Sequence, residues 1–552
     1  MKNNRKFLAL SLTLWASQNL VMGNAALAES GIETLEDFDY WQNLCELQTQ
    51  SENAEEALLA CEQAIALRPN DETIWAKYSY THLTFEQYPE TLAAVDRVLN
   101  INDQNSQAMT YQCLAYLGLN QTEAALDACN AAIETNSYWG NRTPALAWRT
   151  RGQILHQMDQ TDQALIAYDR ALTLEPNDSP TLAYRCQTLV DTGEYQHGLS
   201  ACDAALNGNG QWSADTHAIA FAYQGKAANQ LGDFATAIAA YDSAISLQPE
   251  EPEYWIQQAK LLEDTQSFAA AALSYARAVE LAPDASRALV GQCSVLNQQA
   301  QYELAKAACE QAIAGNGEWW AIGPAQAWRG LAQALTGLGD YESAIAAADR
   351  AVGIQPEYLA AQSDRMVILW YLNDYDNAIK VANGITSTTP VTEENVSIIA
   401  KTWGNLGRIY SAQGNTSAAG NAYNRSITLD SSNSEVYANL SAHYWRTQNY
   451  SEAQNAAYQA IHLNSRSEQA WQNLGAAQVA LEQYPEAQQS YNKVLEINEQ
   501  NASAWAGLGN VQHLLADIDN AKTSLQTAIQ LNPDQALALR LLKEIEALEE
   551  AL

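Results

Sequence analysis

The chain is short of positive charge: 29 Lys and Arg face 64 Asp and Glu over 552 residues, a formal net charge of -35. A nucleic-acid binder displaces counterions with a basic stripe, and this composition provides none. Phe and Met are scarce (6 and 5) although 47% of the chain is hydrophobic. Much of that fraction is alanine, which suits closely apposed helices better than sheets. No apolar run reaches the roughly 20 residues that span a bilayer. The histidines (His82, His156, His197, His217, His443, His462, His513) lie far apart, without nucleophile or ligand spacing. HExxH, GxSxG and phosphate-cradling glycine loops are missing. The expectation is therefore a non-enzyme without metal or cofactor.

Free cysteine is also lacking, in a particular sense. All eight cysteines fall into pairs sixteen residues apart: Cys45/Cys61, Cys113/Cys129, Cys186/Cys202 and Cys293/Cys309. In three of the four cases a tryptophan follows the second cysteine by ten residues: Trp139, Trp212 and Trp319. Identical spacings of this kind require a repeated unit that places them. Cys-x-x-Cys is absent, which excludes thioredoxin-like redox chemistry.

The N-terminus carries Lys2, Arg5 and Lys6, an apolar stretch from Phe7 to Ala16, and the small-residue run Ala26-Leu27-Ala28. Residues 1–28 read as a secretory signal. The expectation is export to the periplasm or an equivalent oxidising lumen, or alternatively to the cell surface.

Aligning Pro69, Pro176, Pro249, Pro283, Pro356 and Pro533 divides the chain into 34-residue frames. Position 4 of a frame is often a large aromatic (Trp75, Trp148, Trp255, Trp328, Trp471, Trp505) and position 20 a small residue (Ala57, Ala164, Ala237, Ala344). Position 24 is Tyr or Cys, as in Tyr168, Tyr241 and Tyr491. With the segments from Trp403 to Tyr410 and Trp471 to Gly475, this pattern resembles the tetratricopeptide repeat (TPR) family, over residues 38–535. The resemblance implies an all-α fold, an α-solenoid of about fourteen helix–turn–helix units forming a right-handed superhelix. Frames begin at 38, 72, 106, 145, 179, 218, 252, 286, 325, 359, 400, 434, 468 and 502. The tail 536–552 reads as a capping helix, with Leu541, Leu542, Ile545, Leu548 and Leu552 on one side.

Each cysteine pair occupies positions 8 and 24, level with one another on facing helices and equidistant from the hairpin turn. That geometry predicts four disulfides, each closing a loop of about 17 residues and stabilising its hairpin by roughly 3 kcal/mol. The competing role is a small buried hydrophobe.

Adding 180 to residue numbers maps Cys113/Cys129 onto Cys293/Cys309, Trp148-Arg149 onto Trp328-Arg329 and Arg185 onto Arg365. Residues 38–217 and 218–397 read as one duplicated block, followed by four plainer repeats at 400–535. Insertions after the third, fifth and eighth frames (Asn136–Pro144, Gly208–Trp212, Gly315–Pro324) bring Trp139, Trp212, Trp319 and Trp320. These tryptophans either cover the hairpin end locally or form an aromatic platform for a sugar or peptide. By the family resemblance, position 5 lines the concave groove, so Arg149 and Arg329, with Arg185 and Arg365 nearby, are candidates to grip a carboxylate or phosphate. Their competing role is pairing with neighbouring acids. The resemblance implies a protein–protein interaction scaffold, and the acidic charge favours a partner with a basic segment. The alternative is a carbohydrate-binding, polysaccharide-export or cell-surface protein that uses the insertion tryptophans. Some TPR domains clamp a C-terminal carboxylate with a Lys/Asn/Arg set, but Arg408 and Gly507 depart from that pattern.

Overall fold

Hairpin formation follows from the local chemistry of each frame. Several first helices open with side-chain caps: Asp71 accepts from the N–H of Thr73 and Ile74, Asn105 from Ala108, and Asn501 from Ala504. Each described hairpin turn carries a left-handed residue at position 15, where Gly193, Gly232, Gly339 and Gly414 sit beside non-glycines such as Asn120, Gln266 and Ala300. That residue ends the first helix and reverses the chain within a few residues.

The structure, a computed structural model, describes residues 37–51, 53–140, 142–212 and 216–550. The proposed signal at 1–28, the Leu552 of the expected cap and the side chain of Leu548 lie outside what is described. Among the described residues there are twenty-nine helices and no strand. Two compact units divide after Thr265. The first runs from Phe38–Gln50 and Ala54–Leu67 through Thr216–Gln230 and Phe234–Leu247 to the helix Pro252–Asp264. The second runs from Phe268–Leu281 through hairpins such as Ser286–Gln298/Tyr302–Ala314 and Glu468–Ala480/Tyr484–Ile497 to the terminal helix Ala536–Glu550. Within each unit a helix packs on its hairpin partner and on the first helix of the next hairpin, so each is a stack of helical hairpins. The duplication boundary expected at 217/218 falls inside the first unit.

Twelve of the fourteen frames start where the sequence places them. The other two helices begin earlier, at Thr216 and Val396 rather than 218 and 400. At the second of these, Asn395 holds the preceding turn, accepting from the Thr392 N–H (2.8 Å) and donating to the Pro390 carbonyl (2.9 Å). The buried Ile399 then extends the apolar face one turn backwards.

The core is a seam of alanines at helix crossings, with Ala57, Ala64, Ala164, Ala237, Ala344 and Ala521 fully buried. Small side chains let the helix backbones approach. Position 24 fills the space between them: Tyr168 and Tyr275 are wholly buried. Position 8 gives way to it, because a Cβ at Gly152 would lie 2.4 Å from the Tyr168 ring. The position 4 tryptophans do more than fill volume. The indole N–H of Trp75 donates to the Pro69 carbonyl (2.9 Å), Trp255 to Pro249 (3.0 Å), Trp471 to Ser465 (2.8 Å) and Trp505 to Glu499 (2.8 Å). Each latches its helix to the turn six residues earlier. At the C-terminus Ala538, Leu541 and Ile545 pack on Ala521, Leu525 and Ala528, while Glu544 and Glu546 face water. That helix caps the last hairpin.

Candidate functional site

The four cysteine pairs lie where positions 8 and 24 meet. Their Cα–Cα distances are 5.0 Å (Cys45/Cys61), 5.2 Å (Cys113/Cys129), 5.1 Å (Cys186/Cys202) and 5.3 Å (Cys293/Cys309), with the sulfurs at bonding distance. All eight are fully buried. A Cβ at Gly330, on the first helix of the following hairpin, would lie 2.7 Å from Cys309 Sγ and 2.8 Å from Cys293 Sγ. The sulfur pair thus occupies the volume that a Gly/Tyr pair fills in other frames.

The insertions cap the hairpins that carry them. After the fifth and eighth frames the same device appears twice. Asn209 N–H donates to the Asn177 carbonyl and Asn316 N–H to the Asp284 carbonyl, both at 2.7 Å. The Asn209 side chain accepts from the N–H of Ser179, and that of Asn316 from Ser286, both at 3.2 Å. The Ser179 and Ser286 hydroxyls accept in turn from Gly210 and Gly317, again at 3.2 Å. After the third frame Ser106 N–H donates to the Ser137 carbonyl at 2.9 Å. Orphan donors at a helix start are thereby satisfied by the segment leaving the second helix. The close approach demands glycine at 315, where a Cβ would meet the Asp284 carbonyl at 2.5 Å. Sequence reading missed this cap. Its signal was there: serine at position 1 of the three frames that also carry a cysteine pair and an insertion.

The insertion tryptophans are half-buried and engaged within the chain. Trp212 stacks on His217 (centroids 4.4 Å apart, planes at 7°) over Leu182, Ala183, Ala205 and Ala220. Burial holds the His217 imidazole below its usual pKa. Trp319 and Trp320 pack on Leu289, Val290, Ala312 and Ala327. Trp139 donates to the Asn136 side chain at 3.1 Å.

Each of the four candidate arginines meets a carboxylate. Arg185 lies 3.0 Å from Asp169 and Arg365 2.5 Å from Asp349, the same pairing 180 residues apart. Arg149 lies 3.0 Å from Asp178, the cap of the next first helix. Arg329 lies 2.7 Å from Asp364 and donates to the Tyr358 hydroxyl at 3.3 Å. Burial opposes the Arg329 charge, but Asp364 and Tyr358 hold its pKa above the ordinary value. The duplicated blocks exchange acid and phenol around this arginine: Asp178 corresponds to Tyr358, and Tyr184 to Asp364. A ligand anion at any of the four would have to share the guanidinium with a carboxylate already beside it.

A pocket of about 440 Å³ opens beside Arg185 and Asp169, and two others lie along successive first helices. In the second unit a pocket of about 380 Å³ spans Ser434–Arg446, Glu468–Ala480 and Ala502–Leu514, and Gln535 and Leu537 close one end. Trp445, 44% exposed, stands in it beside Gln472 and Asn473. In the first unit a pocket of about 310 Å³ is bounded by Phe38–Gln50, Glu72–Thr84 and Ser106–Gly118, and by the insertion residues Gly140 and Arg142. Among the described residues no group of three or more His, Cys, Asp or Glu is placed to hold a metal ion, and no helix is long and apolar enough to cross a membrane.

Family models described as tetratricopeptide repeat match residues 145–178, 223–286, 294–358, 400–433 and 502–535. Another, described as TPR repeat, matches residues 477–515. Among solved structures, the crystal structure of the APC/C hetero-tetramer Cut9–Hcn1 is similar at 14% identity, over 92% of this chain and 96% of that chain, with a TM-score of 0.42. Comparison with curated proteins finds no match.

Proposed function

Because the chain is a tetratricopeptide-repeat protein, we propose that it is a non-catalytic interaction scaffold of the cell envelope, holding segments of partner proteins against its first helices. The observation that carries this reading is the pocket across three successive first helices around Trp445. The Trp445 ring, left 44% exposed and fixed by its N–H to the Ala476 carbonyl, supplies an apolar anchor, and the neighbouring Gln472 amide can pair with the main chain of an extended segment. The net charge of -35 favours a partner with a basic segment, through a faster and salt-sensitive encounter. Residence in an oxidising compartment is supported by the sulfurs of four cysteine pairs at bonding distance and by the signal-like residues 1–28. The glycan reading that used Trp139, Trp212, Trp319 and Trp320 loses support, because these rings already contact the chain's own side chains or caps.

Immobilised wild-type chain and the Trp445→Ala variant, each exposed to envelope extract at low and high salt, test this reading. It predicts a protein retained by wild type at low salt, released by salt, and weakened about tenfold by the substitution, as for an aromatic anchor. Equal retention by both chains would contradict it.

A further inference from the structure

The pocket of the first unit differs in chemistry from an apolar peptide groove. Hydroxyl and amide side chains line most of it, with Thr49, Thr73, Thr81, Gln50 and Gln107 among them. Two phenols form one wall: the Tyr80 and Tyr111 rings lie 5.5 Å apart, and Gln107 donates to the Tyr111 hydroxyl at 2.9 Å. The Thr49 and Thr81 hydroxyls donate to the Cys45 and Lys77 carbonyls, but an apolar side chain buried here would strip water from the Gln50 amide and the Gln107 carbonyl, a cost of about 1–3 kcal/mol each.

Among the described residues, the charged groups of the pocket are Glu46, Lys77 and Arg142. Lys77 is neutralised by Glu46 at 2.8 Å. Arg142, carried in by the insertion, sits with its guanidinium carbon 4.9 Å from the Tyr80 centroid. It is hydrogen-bonded to the phenols of Tyr80 and Tyr111, and among the described residues no carboxylate pairs with it. The candidate arginines Arg149, Arg185, Arg329 and Arg365 each have an acid, so Arg142 is unlike them in a chain with more than twice as many acids as bases. The duplication supplies an internal comparison. Positions 180 residues on from Tyr80, Tyr111 and Arg142 hold Lys260, Gly291 and Ile322, so the second block kept the repeat frame without this set of side chains.

We propose that this pocket binds a small polyhydroxylated carboxylate, a uronic-acid residue either free or at the end of a glycan, with Arg142 as its counter-ion. A guanidinium hydrogen-bonded to two phenols keeps N–H groups for one carboxylate, two N–H groups to two oxygens. A phosphate, with up to two charges and three acceptor oxygens, would call for donors beyond the Arg142 guanidinium. Vicinal hydroxyls match side-chain amides and hydroxyls, which both donate and accept. The volume, about 310 Å³, is at the lower end of ligand pockets and suits one sugar ring.

Isothermal titration of the full disulfide-bonded chain with sodium glucuronate, methyl glucoside, a glutamate-rich peptide and inorganic phosphate tests the proposal. Glucuronate binds, and the neutral sugar, the peptide and phosphate bind at least about tenfold more weakly. Arg142→Gln lowers glucuronate affinity by about ten- to a hundredfold, the range for a charge-assisted pair. Tyr111→Phe, which keeps the ring and removes the hydroxyl, weakens it less, and both variants keep wild-type circular dichroism. An oligoglucuronide that binds more tightly than the monosaccharide identifies a glycan end as the source, and equal affinity identifies the free acid. The proposal falls if glucuronate does not bind, if Arg142→Gln leaves its affinity unchanged, or if the neutral sugar, the peptide or phosphate binds as well.

Discussion

At the scale of single residues, the position 15 turns offer a direct reading of backbone strain. Gly339 has φ +79° with nothing within 4 Å of a built Cβ, so Gly339→Ala adds strain and no clash. Such a left-handed residue costs roughly 1–2 kcal/mol, and urea denaturation should report a loss in that range. His443 gives a pH signature. Burial first, and then the neighbouring Arg446, hold its pKa below the usual histidine value. The folded state therefore favours the neutral ring. Its stabilising contribution is complete above the unfolded histidine pKa and is lost as pH falls through the lower, folded value. Protection factors for amide exchange in Ser434–Arg446, taken against intrinsic rates at each pH, should fall on acidification over that window in wild type and change less in His443→Gln. The arginine pairs carry a further prediction. Arg329→Met leaves the half-buried Asp364 with Gln333 alone and should cost about 1–2 kcal/mol. No loss would free Arg329 for the ligand role its position first suggested.

At the scale of elements, one seam position accepts several chemistries of equal volume. Gly152/Tyr168 and Cys293/Cys309 occupy positions 8 and 24 of different frames, and the following Gly330 stands where Gly291 and Gly507 make room for Tyr275 and Tyr491. The double variant Cys293→Gly with Cys309→Tyr should therefore fold with native helicity, and its local melting should no longer respond to reductant. Aggregation or lost helicity would show that the seam is not interchangeable. The hairpins were legible in the sequence because position-specific residues recur at 34-residue spacing and both helices are amphipathic. The cap built by Asn209, Asn316, Ser179 and Ser286 was not, since its Asn and Ser side chains pair with backbone groups about thirty residues away, and the serine at position 1 alone does not say what it meets. The tryptophan latches escaped for the same reason: their acceptors are main-chain carbonyls. The arginines were found as residues, but their acids were hidden, because partners 16 to 35 positions away become neighbours only once hairpins stack.

At the scale of the whole molecule, a chain of hairpins has no single core, and each unit's stability depends on neighbours and ends. Removing Ala536–Glu550 would expose Ala521, Leu525 and Ala528, and the truncated protein should bind a hydrophobic dye and lose solubility. A soluble truncation that binds no dye would show the terminal helix to be dispensable. The proposed scaffold role also makes the acidic surface functional and not merely solubilising, which the salt dependence of partner capture reads. Hairpin frame, disulfide bonds and oxidising compartment meet in one observation. Non-reducing peptide mapping of the protein recovered from its native compartment should find Cys45 joined to Cys61, Cys113 to Cys129, Cys186 to Cys202 and Cys293 to Cys309. Free thiols, or links between different hairpins, would contradict the account.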